Sequence, residues 1–139
     1  MARLVGACNF ETPNKVEFDD GEMGFLGCAG DILLTGFFQD VRGKTACPIC
    51  SRAINLEVRG RRVVSLQPQT ALLHYVRYSN SNPTAFGIIC ESTFMFDGRS
   101  CLEGWLASHP MSDGQIGTPE HFLEEVILTK EGRTNKAKF

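Results

Sequence analysis

The stretch that decides the fold is Cys28-Ala29-Gly30-Asp31, which is followed directly by the apolar run Ile32–Phe38. The run predicts a helix that is mostly buried. Cys28 and Asp31 are three positions apart, so on a helix their Cβ atoms lie roughly 5–6 Å from each other. Unpaired N–H groups and the dipole at a helix N-terminus favour a thiolate. The stretch therefore predicts a soft nucleophile with a proton donor beside it.

The segments on either side of this stretch complete the local prediction. Lys15–Phe18 alternates polar and apolar side chains, as a strand does, and Asp19–Gly21 is a turn signal. A second strand, Glu22–Leu26, then leads the chain into the thiol. The helix is expected to run over about Ala29–Val41, and Gly43 is expected to close it.

Further strands follow from the same alternation of polar and apolar residues. A hairpin around Gly60 is predicted from the segments Ala53–Val58 and Arg61–Leu66. Two separate strands are predicted at Leu72–Tyr78 and Thr93–Phe96. The segment 84–90 is ambiguous between a short helix and a buried strand.

Two more helices have recognisable starts. Ser100–Glu103 fits a capping box with the serine as N-cap, and Thr118–Pro119 combines an N-cap threonine with a proline at the first helical position. Gly132 is expected to end the second of them, 111–117 is a predicted loop, and 133–139 is a predicted flexible tail. Hairpins with separate helices predict an α+β fold, in which antiparallel or mixed β-sheet hairpins pack with about three to four helices.

Length and charge limit the classes of protein to consider. The chain has 139 residues, 42% of them hydrophobic, which predicts one domain over residues 1–139 with a real core. The net charge is −2, so bulk electrostatics do not favour a nucleic-acid partner. The local basic cluster of Arg59, Arg61 and Arg62 flanks a glycine, as expected for a hairpin tip.

The location is predicted from what the sequence lacks. No segment approaches the roughly 20 apolar residues that span a bilayer. The N-terminal residues turn polar too quickly for a signal peptide. A cytoplasmic location without membrane attachment is therefore expected, and there the six cysteines are predicted to be reduced thiols.

The segment Cys47–Cys50, of the form Cys-x-x-Cys, offers half of a tetrahedral zinc site. The other half would have to come from Cys28, Cys90 or His74. A thioredoxin-type redox motif is the alternative. That motif is followed by a helix, whereas a strand-like run follows the segment in this chain. A packed turn with two inert thiols is the third interpretation. Cys101, placed at the start of a capped helix, is predicted either to have a lowered pKa or to be a spectator without a chemical role.

Each candidate also has a purely structural interpretation. A cysteine beside a buried helix is usually a small core residue, which applies to Cys28 and to Cys90 at the end of an apolar run. An aspartate such as Asp31 stabilises a helix N-terminus without any chemistry. The three histidines are scattered along the chain and are expected to serve the structure.

Taken together, these residues resemble the catalytic core of bacterial organomercurial lyase, also called alkylmercury lyase. That family has a Cys-Ala-Leu-Asp run after a hairpin, and residues 28–31 correspond to it. A Gly-(Arg/Lys)-Thr-Ala segment shortly before a cysteine resembles Gly43–Cys47. The second catalytic thiol of the family precedes a Phe-rich strand and a Glu-x-Trp-x-Ala-Ser helix, as Cys90 precedes Phe94–Phe96 and Glu103–Ser108. The resemblance covers about residues 16–128.

The resemblance implies a function and a set of roles. Cys28 and Cys90 would bind the mercury of a small organomercurial, and Asp31 would pass a thiol proton to the leaving carbon. The products would be a hydrocarbon and Hg(II), which a competing thiol or a mercuric reductase would then accept. No organic cofactor is implied, since mercury is substrate and product. Secondary metal ligands would be Cys47, Cys50 and Cys101. The alternative is a non-catalytic binding protein for mercury, copper or zinc on the same fold.

The chain also departs from the family pattern. Family members carry an additional N-terminal helical domain, whereas little precedes Lys15 here, which predicts a more open site or one closed by a partner. Gly27 stands where an aromatic residue often precedes the first thiol, and Glu91 stands where a second cysteine can follow Cys90. Two thiols, Cys50 and Cys101, are additional to the family pattern.

Overall fold

A computed structural model of the chain describes residues 4–78 and 86–132. Its elements in chain order are β1 (Ala7–Cys8), β2 (Asn14–Glu17), β3 (Met23–Leu26), α1 (Ala29–Phe38), β4 (Val41–Ala46), β5 (Ala53–Arg59), β6 (Arg62–Gln67), β7 (Leu72–Tyr75), β8 (Phe94–Phe96), α2 (Arg99–Ser108), β9 (Gln115–Gly117) and α3 (Pro119–Lys130). A single 3₁₀ turn, Cys90–Ser92, precedes β8. The fold is α+β, as predicted.

The strands form two antiparallel sheets. The larger has six strands in the order β1-β3-β2-β4-β5-β6, and the smaller has three in the order β8-β7-β9. Helix α1 packs against the larger sheet and also contacts α3 and β8. Nine of its ten residues are buried. A helix that is apolar on nearly all sides must be covered on all sides, and this position between the two sheets covers it.

The predicted hairpins are present. β2 pairs with β3, and β5 pairs with β6 across the turn at Gly60. The glycine has φ +59, a left-handed conformation that suits a residue without a Cβ. The buried apolar side chains of both sheets and all three helices join in one hydrophobic cluster.

The predicted end of the first helix is wrong. Helix α1 ends at Phe38, and Val41–Ala46 is a strand in the interior of the larger sheet. Gly43 is therefore not a helix terminator. A Cβ at this position would lie 2.4 Å from Cγ2 of Ile32, so the glycine lets α1 approach the sheet closely. Buried and exposed residues alternate along β4, and this period of two is the pattern of a strand and not of a helix.

The start of α2 and the loop before α3 also differ from prediction. Helix α2 begins at Arg99 after Gly98, so Ser100 lies inside it and does not act as N-cap. The hydroxyl of Thr70 donates to the carbonyl oxygen of Asp97 at 2.6 Å and holds the chain where it turns into the helix. Within the predicted loop 111–117, the last three residues pair with β7 as a third strand.

Helix α3 starts as predicted, with the hydroxyl of Thr118 accepting from the backbone N–H of His121 at 3.1 Å. Gly132, just beyond it, has φ +74. The predicted tail 133–139 and part of the ambiguous segment 84–90 lie outside the described residues. Where the structure describes the chain, each helix is too short or too polar to cross a membrane.

Candidate active site and a second thiol cluster

The site is built from three side chains that come from two distant parts of the chain. Donor atoms of Cys28, Asp31 and Cys90 all lie within 4.8 Å of one another. The thiol of Cys90 donates to Oδ2 of Asp31 at 3.4 Å. Cys28 and Asp31, which the helix spacing predicts to be neighbours, therefore lie beside Cys90, which follows Asp31 by 59 residues in the chain. We call these three residues the buried triad.

Helix α1 positions two members of the buried triad. Cys28 is the residue that precedes its first turn, and Asp31 lies in that turn. The backbone N–H of Asp31 donates to the carbonyl of Cys28 at 3.1 Å, which fixes the two residues relative to each other. The preceding hairpin delivers the chain to this point, since β3 ends only two residues before Cys28.

A network around the 3₁₀ turn positions the third member, Cys90. The hydroxyl of Thr93 donates to the carbonyl of Ile89 at 2.8 Å and closes the turn. Nδ1 of His74 lies 2.8 Å from the carbonyl oxygen of Ser92, and its Nε2 lies 2.7 Å from the hydroxyl of Ser112. A carbonyl can only accept, so Nδ1 carries a proton and donates it to the carbonyl of Ser92. The fully buried His74 therefore serves the structure, as predicted, and holds the turn that carries Cys90.

The short segment before β2 covers the acid. Gly6 accepts a hydrogen bond from the N–H of Gly27 at 2.9 Å, and the N–H of Val5 donates to the hydroxyl of Thr35 at 3.0 Å. A Cβ on Gly6 would lie 2.0 Å from Oδ2 of Asp31, and φ at Gly6 is +73. The expectation of an open site is thus wrong on the side of the acid, because Gly6 lies directly against the carboxyl group.

Burial controls the protonation of the triad. It raises the pKa of Cys28, and the neighbouring charge of Asp31 raises it further. Burial likewise raises the pKa of Asp31 and that of Cys90. The expectation that the helix N-terminus leaves Cys28 as a thiolate is therefore wrong in sign, since loss of water disfavours the charged form more than the helix favours it. The triad keeps its protons to a higher pH than solvated groups would.

A cavity of about 400 Å³ gives access to the two thiols. Its wall includes Cys28 and Cys90, together with Asn14, Thr45 and Met95. This volume is in the range of small-molecule sites. Both sulfurs can therefore be reached by one small ligand.

A second cluster lies at the turn between β4 and β5. Donor atoms of Cys47, Cys50, Asp97 and Cys101 all lie within 4.8 Å of one another. Sγ of Cys50 is 3.3 Å from Oδ2 of Asp97, and Sγ of Cys47 is 3.9 Å from Oδ1. We call these four residues the turn cluster. Cys28, Cys90 and His74, the partners considered for a zinc half-site, are not part of this cluster, so that expectation is wrong. Cys101, grouped with Cys47 and Cys50 among the secondary ligands, does lie beside them, and Asp97 is an additional donor.

The acid of the turn cluster behaves in the opposite way to Asp31. Hydrogen bonds from the thiols of Cys101 and Cys50 lower the pKa of Asp97. The same contact with Asp97 raises the pKa of Cys101, which contradicts the lowered value predicted from its place near a helix start. At Cys47 burial raises the pKa, but backbone N–H groups of Cys50, Asp97 and Ile49 outweigh it and lower the pKa overall.

The family model for alkylmercury lyase (MerB) matches residues 9–125. This chain belongs to the alkylmercury lyase family. It is 29% identical over 106 residues to the alkylmercury lyase of Staphylococcus epidermidis, a match that covers 73% of this chain and 47% of that protein. It also superimposes on a crystal structure of the mercury-bound form of MerB2, with a TM-score of 0.73 and 23% identity, over 91% of this chain and 62% of that one. The chain thus spans about half the length of the curated relative and under two thirds of the solved one.

Two glycines of this alkylmercury lyase family member pack around the triad. A Cβ on Gly30 would lie 2.4 Å from Cδ1 of Ile88, so the isoleucine fills the space that a larger side chain at this position would need. A Cβ on Gly27 would lie 3.5 Å from Oδ2 of Asp31 and 3.6 Å from Sγ of Cys90. Both glycines therefore pack against the reactive groups or the segment that holds them.

The other two histidines and Cys8 make ordinary structural contacts. The rings of His109 and Trp105 stack with centroids 4.0 Å apart, and His121 lies 3.6 Å from Glu125. Cys8 is on β1, with its thiol 3.8 Å from the carbonyl of Gly6. Every one of the six cysteines is described, and each is a free thiol.

The arginines near the β5–β6 tip are engaged within the chain. Arg59 contacts Asp19 at 2.9 Å, and Arg62 contacts Glu120 at 2.8 Å. Arg61 donates to a backbone carbonyl of α1 at 2.9 Å. These contacts connect the hairpin to its surroundings.

Sequence reasoning missed Gly6 and Asp97. Gly6 stands in a short polar segment with no motif, and its role depends on how β1 pairs with β3. Asp97 carried one available signal, since Asp-Gly before a helix often marks a turn that exposes the carboxylate. Neither residue has a sequence neighbour that would reveal its chemistry.

Proposed function

We propose that this protein cleaves the carbon–mercury bond of small organomercurials, giving a hydrocarbon and Hg(II) held by Cys28 and Cys90. The observation that carries the proposal is the meeting of two thiols, which line a cavity, with one buried acid beside them. Family membership and the name of the Staphylococcus epidermidis relative support it. The mercury-bound state of the structural neighbour supports the choice of metal.

The first step is ligand exchange at mercury. Mercury is a very soft ion, and thiolate sulfur is its preferred protein ligand. A substrate R–Hg–X exchanges X for the sulfur of one cysteine, and the thiol proton leaves with X. Although burial raises the pKa of both thiols, binding to the metal replaces the proton, so the charged sulfur is never left uncompensated in the cavity.

The second step moves the proton that cleaves the bond. The thiol of Cys90 already donates to Asp31, so its proton passes to the carboxylate as the second sulfur binds mercury. The carboxylic acid then protonates the leaving carbon. The C–Hg electron pair becomes the new C–H bond, and mercury remains Hg(II) on two thiolates. Nothing is oxidised or reduced, and no organic cofactor enters the balance.

Product release requires another thiol. Two thiolates hold Hg(II) tightly, so the ion leaves by exchange onto a competing thiol, such as a low-molecular-weight thiol or a mercuric reductase. The cytoplasm, where reduced thiols are abundant, suits such an exchange, and that location remains a prediction.

The second candidate is a binding protein that holds Hg(II), copper or zinc through the same sulfurs without cleaving a bond. The convergence of Cys28 and Cys90 would serve it equally well. The contact of Asp31 with Cys90 favours cleavage, since a binding protein has no use for a buried acid that competes for the thiol proton.

The test is detection of the hydrocarbon released from a simple organomercurial by gas chromatography. We expect release by the wild type, mercury binding without release by Asp31→Ala, and neither by Cys28→Ser or Cys90→Ser. Cys8→Ser is the control, because it removes a thiol outside the triad. Tight mercury binding by the wild type without any hydrocarbon would identify the binding protein. Unchanged release by Cys90→Ser would exclude the two-thiolate mechanism.

A further inference from the structure

We propose that the turn cluster, Cys47, Cys50, Asp97 and Cys101, is a second metal site that binds a resident zinc ion independently of the buried triad. The proposal does not rest on carbon–mercury cleavage. It rests on four donor side chains that three separate parts of the fold bring to one point.

The spacing of the donors fits a tetrahedral ion. Zinc binds thiolate sulfur at about 2.3 Å and carboxylate oxygen at about 2.0–2.2 Å, so adjacent donors of a tetrahedral site are separated by roughly 3.5–3.8 Å. In the structure all four donor atoms lie within 4.8 Å of one another, and two of the sulfur–oxygen separations are 3.3 and 3.9 Å. Small adjustments of the side chains would therefore complete the coordination.

The backbone holds these donors in place before any ion arrives. In the β4–β5 turn, the N–H of Ser51 donates to the carbonyl of Cys47 at 2.9 Å, and the N–H of Cys47 donates to the carbonyl of Arg52 at 3.0 Å. Ser51 has φ +66, a left-handed conformation that a residue with a side chain adopts only where its surroundings require it. This tight turn points Cys47 and Cys50 to the same side.

The other two donors are fixed from the opposite direction. The hydroxyl of Thr70 donates a hydrogen bond to the carbonyl oxygen of Asp97 at 2.6 Å, and Cys101 lies in the first turn of α2. An ion bound here would connect the β4–β5 turn to β8 and to α2. The hydrogen bonds that Cys47 and Cys50 make to Asp97 across this junction are weak thiol hydrogen bonds.

The donor set favours zinc over a softer ion. Three sulfurs and one oxygen in a four-donor arrangement suit zinc, whereas Cu(I) and Hg(II) gain little from a hard carboxylate. Four protein ligands also close the coordination shell, as in structural zinc sites, and leave no position for a substrate. The positive charge of Arg52 near Asp97 reduces the excess negative charge of the occupied site.

The experiment compares two double variants that each remove two thiols. Wild-type chain is purified without added metal and without chelator, and its zinc is measured by elemental analysis against protein concentration. We expect about one zinc per chain in the wild type and in Cys28→Ala/Cys90→Ala. We expect Cys50→Ala/Cys101→Ala to lose it, with an affinity lowered by more than the roughly 10–100-fold that loss of a mere outer-shell partner causes.

Cobalt(II) substitution gives a second readout that does not depend on purification history. Tetrahedral thiolate coordination of cobalt produces strong visible bands and sulfur-to-metal charge transfer. We expect these bands in the wild type and in Cys28→Ala/Cys90→Ala, and their loss in Cys50→Ala/Cys101→Ala. Circular dichroism of the variants checks that each is folded.

Two outcomes would overturn the proposal. One is a folded wild type that contains no zinc and shows no tetrahedral cobalt spectrum. The other is metal that persists in Cys50→Ala/Cys101→Ala but disappears from Cys28→Ala/Cys90→Ala. Neither assay uses an organomercurial, so a failure here leaves the proposed cleavage untouched, and a failure of cleavage leaves this site untouched.

Discussion

The buried triad and the turn cluster contain the same kinds of group, thiols beside one carboxyl, and differ in their contact with water. In the triad Cys28 and Asp31 are each only 3% exposed and Cys90 is half-buried. In the turn cluster only Cys47 is buried, and the other three donors are partly or fully open to solvent. Burial raises the pKa of Asp31, while thiol hydrogen bonds lower that of Asp97. The two carboxyl groups are thereby divided: Asp31 retains its proton to a higher pH than a solvated aspartate does, and Asp97 releases its proton at a lower pH.

This division explains why only one cluster suits proton transfer to carbon. A carboxyl group with a raised pKa can carry a proton to a substrate near neutral pH, as general acids in enzymes do. A carboxylate with a lowered pKa is a better metal ligand, because it need not lose a proton first.

The largest expected effect comes from exchanging each carboxyl for its amide. Asp31→Asn keeps the shape of the acid but cannot deliver a proton, so we expect hydrocarbon release to fall by about 10²–10⁴-fold. Asp97→Asn, the matched change in the turn cluster, should leave the rate within about twofold, because its carboxyl contacts the thiols of Cys47 and Cys50 and not that of Cys90. Single-turnover release of hydrocarbon measures both.

Equal losses in the two amide variants would contradict the division of roles between the clusters. Unchanged release by Asp31→Asn would show that the proton reaches the carbon by another route. Mercury titration of each variant separates a loss of binding from a loss of cleavage.

Much of the fold follows from local patterns because most of its elements are local. The hairpins at Gly21 and Gly60 have turn residues between alternating strands, and α3 has a threonine cap and an early proline. The predicted end of α1 falls too late, because Val41 lies at helical spacing from Phe37 and Phe38, four and three residues after them. The sheet position of β4 is a tertiary property, and it overrides the helical tendency of that segment.

The candidate site was only partly accessible to sequence reasoning. The spacing of Cys28 and Asp31 indicated their proximity, because both belong to one helix turn. The placement of Cys90 beside them needed the family resemblance, since 59 residues of chain separate it from Asp31. The sign of the pKa changes could not be predicted, because it depends on how much water the folded chain excludes.

The next effect tests the role of Gly6, which lies against Asp31 of the triad. Gly6→Ala places a Cβ against Oδ2 of Asp31 at a position with φ +73, so the variant must move the segment or the acid. We expect a loss of about 1–3 kcal/mol in the free energy of unfolding from backbone strain, with a further loss from displacement of the carboxyl. Hydrocarbon release should fall with it. Urea unfolding and single-turnover kinetics measure the two effects.

Gly21→Ala is the matched control for the cover. Gly21 has φ +89, but no heavy atom lies within 4 Å of the position its Cβ would take. It should therefore show the backbone strain alone and retain full cleavage activity. If both variants lose activity equally, the position of Gly6 against Asp31 does not matter for the reaction.

A smaller effect compares the helices that carry the two clusters. Gly30→Ala in α1 brings a Cβ to 2.4 Å from Ile88 and 3.0 Å from Thr93, and we expect a destabilisation of about 1–3 kcal/mol from overpacking. Gly104→Ala in α2 meets nothing within 4 Å and should stabilise the protein by roughly 0.5–1 kcal/mol through helix propensity. Urea unfolding of both variants gives the difference.

A compensating change identifies the cause at Gly30. The double variant Gly30→Ala/Ile88→Val removes the Cδ1 atom that the new Cβ would meet, so it should recover part of the lost stability. Strict additivity of the two single changes would mean that the helix and the segment of Ile88 are not in the contact that the structure shows.

The smallest effect is in the pH dependence of stability of the metal-free protein. Burial raises the folded pKa of Asp31 above the unfolded value near 3.8, so between these pKa values the folded state binds more protons. The free energy of unfolding contributed by Asp31 therefore falls as pH rises through that window. For Asp97 the folded pKa lies below 3.8, so its contribution is present above 3.8 and is lost as pH falls through the folded pKa.

The amide variants should therefore shift stability in opposite directions at neutral pH. Asp31→Asn removes a carboxyl that is unfavourable when charged and buried, so it should raise the free energy of unfolding there and flatten its decline with pH. Asp97→Asn removes a carboxylate that its neighbours stabilise, so it should lower the free energy of unfolding above pH 3.8 and leave it unchanged in strong acid. Urea unfolding at a series of pH values measures both curves. Shifts of the same sign would mean that burial does not separate the two acids, and the contrast between the clusters would then have to rest on geometry alone.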